Sequence, residues 1–236
     1  MRGYATLAIL VFGLAAPAAA QTTGGIPGPS VNAADRSAQF RMAWAPDADR
    51  FAARLHYQHG LTDDLRGRIV LQGADFETGD FETVFLQAEL QWEFDDDANW
   101  GKALRFDARV SEDDDGADQL GLVSINQFRL SDRMFARADI FTNVQVGSRR
   151  TDGIGVEFRG LVGYTLESGP TLTLETFNAL GRGAKFGELK RNAERLGPGV
   201  SVPLGGGTSL YGSVLFGLNS ATPDTDYRIW LSQSFN

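Results

Sequence analysis

Apolar and polar residues alternate one for one through most of this chain. The clearest case sets Val84, Leu86, Ala88, Leu90 and Trp92 against Gln87, Glu89, Gln91 and Glu93. A β-strand turns successive side chains to opposite faces, so each such segment has one greasy side and one charged side. About twelve segments of this kind follow Ser37, near the ten-residue unit of membrane-spanning strands. The remaining segments centre on 38–44, 54–58, 65–72, 104–110, 120–130, 134–144, 156–166, 172–175, 200–204, 209–216 and 226–236. In the 120–130 segment, Leu120 and Leu122 are followed by Val123 and Ile125, a change of parity that implies a bulge. The chain therefore reads as all-β.

The start of the chain is different. Arg2 precedes an apolar run from Leu7 to Phe12, and Ala18-Ala19-Ala20 offers a small-residue cleavage site before Gln21. Residues 1–20 read as a secretory signal peptide, too short in its apolar run to span a bilayer. Residues 21–36, rich in Gly, Pro, Ser and Thr, read as a flexible periplasmic leader, and 37–236 as the folded domain. There is no cysteine, so neither a disulfide nor a lipidated cysteine is available. The formal charge of −8 argues against nucleic acid as a partner.

Alternation does not say which face meets water. A soluble, secreted β-sandwich buries the apolar face, whereas a membrane barrel turns it to lipid. Three features favour the barrel. Short connections (62–64, 131–133, 167–170, 205–207) alternate with longer ones (76–81, 111–118, 145–153, 181–194, 218–225), with 95–102 as the exception. All but three of the 22 basic residues are arginines, and Lys102, Lys185 and Lys190 all fall in connections. Arginine forks suit a crowded interior shared with carboxylates. Trp44, Tyr57, Trp92, Phe158, Tyr164 and Phe235 are candidates for interfacial girdles. In hydrocarbon an unpaired backbone group costs several kcal/mol, so spanning strands must close into a ring. The first strand is then expected to pair with the twelfth.

The last segment, Asp226 to Asn236, carries Tyr227, Ile229, Leu231 and Phe235 on one parity. It resembles the closing strand of bacterial outer-membrane β-barrels, with Asn236 placed after the usual terminal phenylalanine. That resemblance implies a transmembrane antiparallel up-and-down barrel in the outer membrane of a Gram-negative bacterium. It also implies outer-membrane lipids and lipopolysaccharide as surroundings, and the barrel-assembly machinery as a partner through the strand ending at Phe235. Leu196-Gly197-Pro198-Gly199-Val200, Leu210-Tyr211-Gly212, Phe216-Gly217-Leu218-Asn219 and Thr222-Pro223-Asp224 resemble the end of outer-membrane transporters of the phenol meta-cleavage pathway type. This second likeness covers about the last forty residues and implies passage of small molecules; it transfers no functional residue.

With the apolar parity toward lipid, the lumen is lined by Arg54, His56, Arg66, Arg68, Glu89, Glu93, Arg105, Asp107, Arg109, Arg137, Asp139, Glu157, Arg159, Glu175 and Arg228. Glu89 and Glu93 are expected beside Arg105 and Arg109 as cross-strand ion pairs. Two readings stay open: a polar pore for small polar, anionic or sugar-like solutes, or an interior zipped shut by its own charges, serving envelope structure or a surface polysaccharide system. Phe186, Leu189, Ala193 and Leu196 have helical spacing, which suggests a short basic helix in the longest loop. Glu112-Asp113-Asp114-Asp115-Gly116 does not fit a calcium loop, because Ser111 and Leu122 fall at ligand positions. A lipid-modifying enzyme is the weakest reading: His56 and His59 are the two histidines and no triad pattern accompanies them. No catalytic residue, metal site or cofactor is expected.

Overall fold

The computed structural model describes residues 23–76, 80–112, 116–187 and 192–235. The strands are β1 (Arg36–Ala45), β2 (Arg50–Gly60), β3 (Leu65–Phe76), β4 (Glu82–Asp96), β5 (Trp100–Ser111), β6 (Asp118–Arg129), β7 (Met134–Val146), β8 (Ile154–Thr165), β9 (Thr171–Arg182), β10 (Glu194–Gly205), β11 (Thr208–Gly217) and β12 (Thr225–Ser234). Each pairs antiparallel with its sequence neighbours, and β1 closes the ring against β12. Phe40 lies opposite both Leu231 and Leu55, so the seam has the same register logic as the rest of the wall. Closure leaves no strand edge unpaired.

The two parities sort as a membrane barrel requires. Leu86, Leu90 and Ile229 are 51%, 42% and 50% exposed on the outside, whereas Arg105 and Arg228 on the inside are 6% and 1% exposed. The protein is a transmembrane β-barrel of twelve strands. Connections 61–64, 97–99, 130–133, 166–170 and 206–207 lie at one end with residues 36 and 234. The longer ones, up to 183–193, lie at the other. The exception at 95–102 disappears, because β4 continues through Asp96 and β5 starts at Trp100. Asp97 makes the tight turn, its Oδ1 accepting from the Asn99 amide at 2.9 Å, while Lys102 reaches Asp95 at 2.6 Å.

Two expectations need correction. β6 holds one register against β5 and β7, so there is no bulge. Leu120 and Leu122 face out, while Val123 and Ile125 face in and pack with Ala103 and Phe141. The parity change is a patch of apolar lumen. Register shifts fall instead at Gln72/Gly73, Glu93/Asp95, Val156/Glu157 and Pro203/Gly205. The helix proposed over 186–196 is not formed at its end: Ala193 accepts from Ala179 and β10 begins at Glu194, with Leu196 outward and Arg195 buried. Leu189 lies outside the described residues, as do Asp113, Asp114 and Asp115.

Aromatic pairs mark both rims. Trp44 and Tyr227 meet at 5.9 Å near the long-loop end. Trp92 with Phe94 and Trp100 with Phe128 meet at 5.6 and 5.5 Å near the short-turn end. Phe158 sits at mid-strand, opposite Ile140 and Asn178, and is not part of either rim.

Candidate functional site: the lumen and its arginine track

The inward parity of neighbouring strands brings charges of both signs within reach across the ladder. Glu89 on β4 takes Arg68 from β3 at 2.9 Å and Arg105 from β5 at 3.5 Å. Arg105 in turn forks onto Asp107, with Nε and Nη2 donating at 2.8 and 2.9 Å. Arg159 forks onto Glu157 at 2.8 and 2.7 Å. Arg228 pairs with Glu175 at 2.8 Å, and Arg195 with Asp226 at 2.8 Å. Asp139, fully buried, accepts from the Asn126 amide at 3.2 Å. The expected Glu89–Arg105 pair is present. Arg109 instead donates to Gln87 at 2.9 Å, and Glu93 accepts from the Val31 amide at 2.6 Å.

A second set of arginines is held by neutral acceptors. Arg54 bonds to Gln72, Arg66 to Gln91 at 2.7 Å, Arg137 to Gln127 at 2.8 Å and Arg41 to Gln39 at 2.5 Å. Several of these cations lie over rings: Arg41 is 4.1 Å from the Trp230 centroid, and Arg109 and Arg54 are 3.9 and 5.2 Å from Phe85. A ring face stabilises a cation without neutralising it. Among the described residues, none of Arg41, Arg54, Arg66, Arg109 and Arg137 forms a direct ion pair with a carboxylate.

Sequence reasoning missed the rings. Phe85, Phe141, Phe177, Tyr211 and Trp230 are all buried on the inward parity, beside Gln87, Asp139, Glu175, Ser213 and Arg228. Their signal was present: each stands two residues from a polar inward neighbour. His56 is buried among the arginines, and its Nε2 has no hydrogen-bond partner among the described residues. His59 falls on the opposite parity near the end of β2, so the two histidines are not brought together. Among the described residues no group of acidic and histidine side chains is arranged to hold a metal ion.

The leader is the larger surprise. Read as a flexible segment beneath the barrel, its residues from Thr23 to Ser30 instead run inside it. Successive carbonyls receive wall donors: Thr23 from Arg41 at 3.0 Å, Gly24 from Arg228 at 2.9 Å, Gly25 from Arg159 at 2.9 Å and Ile26 from Arg137 at 3.0 Å. Gln91 then donates to Gly28 and Pro29 at 3.0 and 2.8 Å, and Arg66 to Ser30 at 3.4 Å. Thr23 Oγ1 donates to Gln72 at 2.8 Å, and Ile26 packs against Leu161, Phe177 and Leu215. A glycine- and proline-rich strip has no side-chain period, yet its bare carbonyls match a wall of guanidinium donors.

No family model matches the chain, and no curated protein sequence matches it significantly. Solved structures do. A KdgM porin superposes with a TM-score of 0.64 at 13% identity, over 85% of this chain and 99% of that one. A NanC porin gives 0.65 at 12% identity, over 84% and 100%. The chain has a porin-like outer-membrane barrel fold. LpxR from Salmonella typhimurium aligns less well, at 0.51 and 11% identity over 84% and 100%. At such identities the likeness is one of fold alone.

Proposed function

We propose that the protein is an outer-membrane channel that takes up small polar, anionic or sugar-like solutes in a Gram-negative bacterium. The observation that carries this reading is the inner surface: a run of arginines whose bonds go to amide and carbonyl oxygens. Arg41, Arg54, Arg66, Arg109 and Arg137 are positioned to greet an anion or a ring of hydroxyls. Guanidinium forks bind carboxylate and sulfate-like oxygens in pairs, and stacked aromatic rings suit sugar faces. The fold likeness to KdgM and NanC porins supports it, one of them having been solved in complex with disordered oligogalacturonate. In this reading the lumen-lining residues are Arg54, His56, Arg68, Glu89, Glu93, Arg105, Asp107, Arg109, Arg137, Asp139, Glu157, Arg159 and Arg228, joined by Arg41 and Arg66. A signal peptide over residues 1–20 exports the chain, and the strand ending at Phe235 presents it to the assembly machinery. The apolar belt meets the lipids and lipopolysaccharide of that membrane.

One observation favours the second reading, a closed structural barrel: the leader occupies the lumen. The resemblance of 196–224 to phenol meta-cleavage transporters has no counterpart among family models or curated sequences and adds no solute; part of that stretch serves the wall. Gly197, for example, lets the Val214 carbonyl approach to a point 1.8 Å from where a Cβ would stand. Planar-bilayer recordings decide between the two. A channel opens in discrete steps with anion preference, and liposomes carrying it swell faster in small sugar acids than in bulky ones. Folded protein that never opens is the structural barrel.

A further inference from the structure

We propose that residues 23–31 are a built-in plug: an intramolecular ligand of the lumen's donor track, which an extended acidic chain molecule displaces. This rests on the channel reading and goes beyond it, naming what fills the path and what exchanges with it.

The segment reads Thr23-Gly24-Gly25-Ile26-Pro27-Gly28-Pro29-Ser30-Val31. Its prolines have no N–H and its glycines no side chain, so it presents oxygen acceptors along a thin strip. A Cβ on Gly24 would stand 2.8 Å from Arg159 Nη1, and one on Gly28 2.9 Å from Arg137 Nη2; the guanidinium groups lie against bare backbone. Four consecutive carbonyls, from Thr23 to Ile26, each take one arginine donor. Such a track fits an extended chain with an acceptor at roughly every 3.3 Å, the rise of extended backbone. It is poorly matched to a compact solute.

The track is also better suited to another occupant than to this one. Arg41 and Arg137 give the leader their N–H groups and receive only neutral oxygens from it and from Gln39 and Gln127. A carboxylate in the same place adds a negative charge and a second oxygen that matches the guanidinium fork. One aliphatic side chain, Ile26, anchors the segment in an apolar cluster. The segment also sits between two cavities. One of about 420 Å³ includes Ser37 and Gln58 toward the short-turn end, and one of about 260 Å³ includes Gln72 and Phe85 toward the other. Ile26 and Pro27 border both.

The absence of native cysteine makes a clean test possible. Pro29→Cys with Gly101→Cys joins leader to wall where a Cβ on Gly101 would stand 3.8 Å from the Pro29 Cβ, the ordinary spacing of a disulfide. Oxidised to a disulfide, this variant is expected to be silent in planar bilayers, and reductant is expected to restore current. A deletion of residues 23–31 is expected to conduct several-fold more than the full chain, with heat-modifiable gel mobility certifying the folded barrel. A uronic-acid oligomer should lower the yield of the disulfide several-fold, while a neutral glucose oligomer of equal length leaves it unchanged. Equal current from oxidised and reduced protein, or failure of the pair to oxidise, overturns the plug and leaves the channel reading standing. So does a folded deletion that conducts no more than the full chain; should the deletion not fold, the cysteine pair carries the test alone. Equal disulfide yield with both oligomers overturns the displacement by an acidic chain. Silence of every folded form removes the channel reading and this proposal with it.

Discussion

Arg228 of β12 and Glu175 of β9 face each other inside the barrel at 2.8 Å, across the two strands that separate them. Tyr211 between them donates its hydroxyl to the other Glu175 oxygen at 2.6 Å, and Arg228 donates its second Nη to the leader's Gly24 at 2.9 Å. Arg228 also lies 4.5 Å from the Trp230 ring centroid. Wall and leader are thus joined through one buried cation. A buried charge is tolerated when paired and becomes costly when its partner is removed. Glu175→Gln is therefore expected to destabilise the folded barrel by about 3–5 kcal/mol. Denaturant unfolding in detergent measures it, and Glu175→Gln with Arg228→Gln should recover part of the loss, since no charge is then left alone.

The lipid-facing parity makes a sharper contrast. Leu90 points outward and is flanked along β4 by Glu89 and Gln91, which are buried in the lumen. Leu90→Arg puts a cation into hydrocarbon, at a cost of about 2–4 kcal/mol near the bilayer centre. Gln58→Glu, on the inward parity of β2, places its charge against the Arg68 guanidinium that already donates to Gln58. Urea titration after folding into lipid vesicles should find the first change clearly more damaging than the second. The reverse order would turn the barrel inside out.

The outer wall was legible because lipid imposes a simple rule: Leu86, Ala88 and Leu90 must be apolar, and the pleat puts them two residues apart. The lumen has no such rule. Its arginines and acids were readable by parity, and Phe85 and Trp230 share that parity, but an inward ring carries no charge to set it apart from the lipid-facing apolar residues. Val123 and Ile125 looked like a slipped register for the same reason. From Ala193 to Leu196 the helical spacing is not realised, because β10 needs Leu196 outside and Arg195 inside for its pairing with Asp226. The leader was illegible in principle. Its binding is through backbone carbonyls, which every residue has, and its Gly-Pro composition is equally that of a linker.

The short-turn rim titrates at Asp64. Thr62 Oγ1 donates to one carboxylate oxygen at 2.5 Å and Trp92 Nε1 to the other at 3.3 Å. These bonds, the Thr62 bond foremost, hold the Asp64 carboxyl below its ordinary value. A carboxyl depressed in the folded state contributes stability above its unfolded pKa of about 3.9, and that contribution is lost as pH falls through the lower folded value. The group is exposed, so the effect is small. Melting temperatures of the wild type should fall slightly more than those of Asp64→Asn between pH 5 and pH 2. Parallel curves would mean that the turn gains nothing from the charge.

The Ile26 side chain is where leader and wall meet without polar bonds. It is buried against Leu161, Phe177 and Leu215, with Phe135 at the edge, on the strands β8, β9, β11 and β7. Ile26→Ala removes most of that contact, and truncations of this kind cost about 2–5 kcal/mol when the site does not collapse. The closed strand ladder does not depend on the leader, so the loss should appear as easier local release of residues 23–31 rather than as opening of the wall. At about 1.4 kcal/mol per tenfold, amide exchange in the leader should speed up by roughly thirty-fold to several-thousand-fold. Exchange in β12 should stay as it was, because its backbone amides pair with β1 and β11 and not with the leader. Equal acceleration in β12 would mean that leader and barrel unfold as one unit, and unchanged exchange in the leader would mean that the arginine bonds alone hold it.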